Sequence, residues 1–191
     1  MKRELRAGVI AAALLCGSPL ATAEASTLTL SSPAIAPKST LPKRFEADSF
    51  GCQGENQSPA LHWQGAPAGT QSFAVTVYDP DAPTGSGWWH WMVINIPASV
   101  NQLADNAGEA GGKRLPDGAR QLRIDYGVEA WGGVCPPPGD KPHRYIFTVY
   151  ALKTPTLDIP KEANPALGGY MINANTLAKA SFTAYYSRAA K

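Results

Sequence analysis

Pro80 is the residue that most limits what this chain can become. The segment before it, Ser72-Phe73-Ala74-Val75-Thr76-Val77-Tyr78, alternates polar or small residues with apolar ones. That is the two-residue period of a strand with one buried face. Proline fixes φ and has no N–H to give to a sheet ladder, so the strand must end at Asp79. Asp79 and Asp81 then stand two residues apart, between Pro80 and Pro83, at a strand-to-loop transition. Trp88-Trp89-His90-Trp91 follows and opens a second apolar strand over 89–97. Two carboxylates and an imidazole at adjoining strand ends, among indoles, predict a pocket rather than a solvated edge.

Other strands are read at 26–31, 61–63 and 144–152, the last with Tyr145, Phe147 and Val149 on one face and Ile146, Thr148 and Tyr150 on the other. Turn-forming residues mark 45–59 as a loop. Residues 101–120 lack either period and predict a long surface excursion. Pro136-Pro137-Pro138 precludes a helix and predicts a stiff extended wall after Cys135. Residues 163–186, rich in alanine and leucine, read as one or two short helices broken at Gly168-Gly169 and 173–175, with 181–187 as a strand. With no internal repeat and no linker, the chain reads as one mainly β domain with little helix at its C-terminus.

Residues 1–23 carry the marks of an export signal: Lys2, Arg3 and Arg6, then an apolar run from Ala7 to Leu15, then Ala21-Thr22-Ala23 as the cleavage site. The apolar run is too short to span a bilayer. Leu15 precedes Cys16 where lipid attachment needs a small residue, so no stable membrane anchor is expected. Residues 24–191 are then the folded domain, placed in the periplasm or secreted. The signal holds Lys2, Arg3, Arg6 and Glu4 of the 17 basic and 15 acidic residues, which leaves 14 of each and no net charge. Such a balance gives no support to nucleic-acid or membrane-surface binding. Cys52 and Cys135 remain as an even pair in an exported chain, which predicts a disulfide worth about 2–4 kcal/mol. Two buried thiols are the alternative; a metal pair is disfavoured because neither cysteine lies in a CxxC motif.

Asp79-Pro80-Asp81-Ala82-Pro83, then Trp88-x-His90, then Pro136-Pro137-x-Gly139 and His143-Arg144-Tyr145 resemble the motifs of the phosphatidylethanolamine-binding protein family. Phe50-Gly51-Cys52, Trp88 to Trp91 and Cys135 to Asp140 resemble its exported bacterial Raf-kinase-inhibitor-like branch. The resemblance runs from about Leu28 to Arg188. It implies an antiparallel β-sandwich-like single domain with short peripheral and C-terminal helices and one small anion-binding pocket. On that resemblance the ligand-binding residues are Asp79, Asp81, Pro83, Trp88, His90, Gly133, His143, Arg144 and Tyr145. It also implies a cis peptide at Ala82–Pro83 and points to a homodimer as a candidate assembly. Lys141-Pro142 stands before His143 where eukaryotic members carry Gly-x, and the tail differs. No tail tyrosine is therefore assigned to the site, and the eukaryotic kinase-inhibiting surface does not carry over.

The chemistry of such a pocket follows from its donors. Imidazole N–H groups and a loop amide can donate to phosphate oxygens, and Asp81 would hold a histidine in the donating tautomer and raise its pKa. The aspartates orient histidines or take a ligand's ammonium; the alternative for both is loop capping. Trp88, Trp89 and Pro83 supply apolar walls. Arg144 has a plain alternative role, pairing with a loop carboxylate. His62 matches no motif, and Trp63 and Trp91 read as core. The expected function is non-enzymatic binding of a small anion, phosphoryl group or phospholipid headgroup, with no cofactor and no metal. One alternative is a protein-interaction module that inhibits a kinase or protease partner through the pocket rim and the 101–120 loop. Another is an acid/base enzyme using Asp and His, although no Gly-x-Ser-x-Gly nucleophile motif is present.

Overall fold

The computed structural model describes residues 27–190. The stretch read as an export signal with its cleavage site, and the start of the first strand at Ser26, lie outside the described residues. Within them the elements are β1 (Thr29–Ser31), β2 (Leu61–Gln64), β3 (Ser72–Asp79), β4 (Trp88–Pro97), β5 (Gln102–Leu103), β6 (Arg120–Gln121), β7 (His143–Leu152), α1 (Pro165–Ala174) and β8 (Thr176–Tyr186). They form two antiparallel sheets, ordered β1-β2-β5 and β6-β4-β3-β7-β8. Pro80 does stop β3 at Asp79, in the middle of the larger sheet.

The space between the sheets is filled by Leu61, Trp63 and Leu103 from the small sheet against Phe73, Val77 and Phe147 of the large one. The outer face of the large sheet is also covered. There Ala74, Met92 and Ile94 pack against Leu122, Ile159 and Ile172 of α1. β3 is therefore buried on both faces, not on one. Its polar residues survive burial because each finds a partner: the Ser72 hydroxyl donates to the Thr154 carbonyl at 2.6 Å and the Thr76 hydroxyl to the Tyr150 hydroxyl at 3.5 Å.

The C-terminal third departs from the sequence reading. A single helix, α1, runs straight through Gly168-Gly169. A Cβ at Gly168 would lie 2.8 Å from Leu122 Cδ1 and 3.1 Å from Met92 Cε, so the glycine allows close packing rather than breaking the helix. Asn164 caps α1 by accepting from the Leu167 N–H at 2.9 Å. All of 176–186 is strand, because it pairs with β7 from His143↔Tyr186 to Leu152↔Thr176, and that ladder overrides the alanine content. Residues 101–120 are more anchored than a free excursion: Leu103 and Ala107 are buried.

Cys52 and Cys135 form a disulfide with Cα atoms 6.0 Å apart. It ties the loop after the 3-10 turn Lys43–Phe45 to the proline wall. Arg188 braces both from behind, donating from Nη2 to the Gly51 carbonyl at 2.6 Å and from Nη1 to the Pro136 carbonyl at 3.3 Å. Among the described residues no helix is long and apolar enough to cross a membrane.

Candidate functional site

A cleft of about 490 Å³ opens where β3 ends and β4 and β7 begin. A β-bulge positions its histidine. Val77 pairs with Trp91 but Tyr78 pairs with Trp89, so His90 is the extra residue in β4. The bulge puts His90 and Trp91 on the same side. The His90 ring stands 5.1 Å from Tyr145 and 6.4 Å from Trp131, while Trp89 turns the other way to pack on Tyr78 at 4.5 Å.

His90 Nδ1 lies 2.7 Å from the Gly132 carbonyl oxygen. A carbonyl only accepts, so the proton sits on Nδ1, and in the neutral ring Nε2 is an acceptor. Burial lowers the imidazole pKa, outweighing the Gly132 and Gly133 carbonyls and the Asp79 and Asp125 charges that raise it.

Asp79 is buried and fully engaged. Its Oδ1 accepts from the Asp81 N–H at 2.8 Å and its Oδ2 from His143 Nδ1 at 2.8 Å. His143 Nε2 faces Asp140 Oδ2 at 3.3 Å, so a carboxylate stands at each nitrogen. It is thus Asp79, not Asp81, that orients a histidine. The Asx turn from Asp79 carries Asp81 away, and the alternation of β7 puts Arg144 on the opposite face from His143 and Tyr145. Arg144 grips Asp81 in a fork, Nη2 to Oδ1 at 2.7 Å and Nε to Oδ2 at 2.9 Å. That pairing pulls the Asp81 carboxyl down to about 2. The Ala82–Pro83 peptide is trans, since no cis peptide occurs among the described residues. The Thr84 N–H donates to the Ala82 carbonyl at 2.8 Å, a three-residue turn centred on Pro83 whose φ proline already holds.

Tyr145 presents the least satisfied group. Its hydroxyl is buried and has no hydrogen-bond partner among the described residues. Burial, with Asp79 nearby, pushes this phenol far above its ordinary pKa and keeps the O–H. Tyr126, pushed up by the same two causes, instead donates to the Gly133 carbonyl at 2.9 Å.

The family model described as phosphatidylethanolamine-binding protein matches residues 31–187. This chain belongs to that family. The UPF0098 protein YbcL of Escherichia coli K12 is 58% identical over 137 residues, 72% of this chain and 75% of YbcL. YbhB of the same organism is 48% identical over 147 residues, 77% of this chain and 92% of YbhB. The crystal structure of E. coli YbcL superposes with a TM-score of 0.83 at 51% identity, covering 85% of this chain and 99% of that one.

In this phosphatidylethanolamine-binding protein family member the cleft gathers six of the residues expected from sequence: Asp79, Pro83, Trp88, His90, His143 and Tyr145. Asp81 and Arg144 form their pair outside its lining. Gly133 stands behind His90; its N–H donates to Asn56 Oδ1 at 2.7 Å, and a Cβ there would lie 2.3 Å from the Ala47 nitrogen. Pro136 and Pro137 form a wall, as their stiffness implied. Ala82, Thr84 and Cys135 also line it, and so do Phe50, Asp125 and Tyr126, which were not assigned to it from sequence. Phe50 had a signal in its motif with Gly51 and Cys52; Asp125 and Tyr126 had none, being loop residues that reach the cleft only through the fold. Asp125 Oδ2 accepts the Trp89 N–H at 2.8 Å, which pins that loop to β4.

Proposed function

We propose that the cleft binds a small phosphoryl or carboxylate headgroup and that the protein acts by holding it. The observation that carries this reading is the orphaned Tyr145 hydroxyl. A buried donor left unpaired costs about 1–3 kcal/mol, and an oxygen of a bound headgroup removes that cost. His90 Nε2, the nitrogen not used by Gly132, is the second point of attachment. Walls of Trp88, Pro136 and Pro137 exclude water and strengthen both hydrogen bonds. The volume of about 490 Å³ suits a headgroup with a short substituent. The two cysteines among the described residues are joined in a disulfide, which argues for holding rather than nucleophilic catalysis. The basic and apolar start of the chain and that disulfide support action in the periplasm. Calorimetric titration of the purified protein with phosphoethanolamine, beside His90→Ala, tests the reading. Saturable binding that the variant loses supports it; no binding to the wild type overturns it.

A second reading rests on Phe50. This ring is 76% exposed at the cleft mouth, packed on Tyr126 at 5.6 Å. Such a rim suits a protein partner, a kinase or protease that the protein inhibits by docking. Phe50→Ala separates the two: loss of phosphoethanolamine binding in that variant would count against a distinct docking role for the rim.

A further inference from the structure

We propose that Cys135 is a site of thiol exchange: a small thiolate that enters the cleft attacks its Sγ, bonds to it in a mixed disulfide, and releases Cys52 as the thiolate.

Access is unequal on the two sides of the Cys52–Cys135 bond. Cys135 lines the cleft and is half-buried, whereas Cys52 is 5% exposed. Cys52 is also held by its own loop, its N–H donating to the Ser49 carbonyl at 2.9 Å. The cleft, about 490 Å³, admits a low-molecular-weight thiol. Attack therefore comes at Cys135, and Cys52 is the leaving group.

A cation stands where the negative charge passes. Arg188 Nη1 lies 3.5 Å from Cys135 Sγ. The attacking species is a thiolate, not a thiol, so a guanidinium beside the target sulfur draws it in. It also stabilises the charge shared by three sulfurs while one bond forms and the other breaks. Among the described residues no carboxylate forms an ion pair with Arg188. Its other bonds go to neutral carbonyls, so its charge stays available to the sulfur.

The surroundings keep the two cysteines together when the bond is open. Gly51 precedes Cys52 and Pro136 follows Cys135, so Arg188 spans both loops from carbonyl to carbonyl. Val134 adds two backbone bonds across the same join: its N–H donates to the Phe45 carbonyl at 3.1 Å, and its carbonyl accepts from the Ala47 N–H at 3.1 Å. Cys52 thus remains within reach of Cys135, and the mixed disulfide has two exits. In one, the Cys52 thiolate attacks Cys135 Sγ, expels the incoming thiolate and restores the original bond. In the other, the second thiolate of a dithiol attacks the sulfur already bound to Cys135, and Cys135 leaves as a thiolate. Each attacking thiol gives a proton to solvent and each released thiolate takes one up. By the second exit the dithiol is oxidised by two electrons to its disulfide, and the Cys52–Cys135 bond is reduced by two.

The test treats the folded protein with 2-mercaptoethanol, traps free thiols with iodoacetamide, and locates the adducts by peptide mass spectrometry. Mercaptoethanol is expected on Cys135 and the iodoacetamide label on Cys52. Mercaptoethanol on Cys52, or no adduct on the folded protein under conditions in which the urea-unfolded chain reacts, overturns the exchange site. The part played by Arg188 is read from the rate of reduction by dithiothreitol. Arg188→Gln is expected to slow it about tenfold, and Arg188→Lys, which keeps the charge, to recover most of the rate. A purely mechanical brace gives the opposite sign, because loosened loops expose the bond and speed its reduction. An unchanged or faster rate in Arg188→Gln therefore overturns the assistance by the guanidinium. If Arg188→Gln does not fold, the adduct positions in the wild type still decide the exchange site.

Discussion

At the scale of single residues, stability and binding are set against each other at the Tyr145 hydroxyl. It is buried without a partner among the described residues, so Tyr145→Phe removes a group that costs free energy in the empty cleft. Melting curves should show the variant as stable as the wild type or up to about 1 kcal/mol more stable, while its affinity for phosphoethanolamine falls about tenfold. A loss of stability with unchanged affinity would contradict the role given to this hydroxyl. Asp81 makes the opposite trade. Arg144 lowers its pKa from 3.8 to about 2 in the folded chain, so the pair stabilises above pH 4 and that contribution is lost as pH falls through about 2. Asp81→Asn should therefore unfold more easily than the wild type in urea at pH 5, with the gap closing between pH 4 and pH 2. A gap that stays constant over that range would count against the pairing. Asp79 and Asp81 look alike in sequence, two residues apart with prolines beside them. What separates them is that Asp79 accepts the Asp81 amide and His143, while Asp81 meets Arg144 across the turn. Neither contact is visible without the third dimension.

At the scale of elements, the site depends on two local departures from regular geometry. The bulge at His90 puts two consecutive residues of β4 on one side, which a strict two-residue period cannot foresee. The other is the approach of Gly133 to Ala47, where a Cβ would sit 2.3 Å from a backbone nitrogen that cannot move aside. Gly133→Ala should cost about 3 kcal/mol in urea denaturation, at the upper end for overpacking, because backbone on both sides must shift. A cost below about 1 kcal/mol would mean the Gly132 carbonyl that holds His90 is less fixed than its geometry implies. β3, β4 and β7 were legible because their alternation is strong and Pro80 marks an end. Only the end of β8 was, as the strand read at 181–187: its earlier alanines favour helix locally, and only the full-length ladder with β7 decides otherwise. α1 was legible as helix but not as continuous, since the packing need that explains Gly168 belongs to Leu122 and Met92, remote in sequence.

At the scale of the whole molecule, a mainly β domain was legible in the strand pattern and the sandwich-like pairing of two sheets only through the family resemblance, while the burial of β3 on both faces was legible in neither. Small polar residues such as Ser72 and Thr76 look solvent-facing until Thr154 and Tyr150 are placed over them. The disulfide was foreseeable from an even pair of cysteines in a chain whose first residues read as an export signal. It spans 83 residues and fixes the Pro136-Pro137 wall against the Phe50 loop. The double variant Cys52→Ser with Cys135→Ser should lose about 2–4 kcal/mol of stability and bind phosphoethanolamine more weakly, since the wall is then held by Arg188, by packing and by the backbone pairs of Val134 with Phe45 and Ala47. Unchanged affinity in a folded double variant would show that the wall needs no staple.

One NMR experiment bears on all three scales: a long-range 1H–15N spectrum of the three imidazoles, His62, His90 and His143, without and with phosphoethanolamine at pH 7. In the free protein His90 should show its proton on Nδ1 and a bare Nε2. On saturation Nε2 should move to the resonance of a hydrogen-bonded, proton-sharing nitrogen, while His62, exposed on β2, keeps its own. A His90 ring that does not change as the ligand saturates the protein would remove it from the site, and the headgroup reading with it.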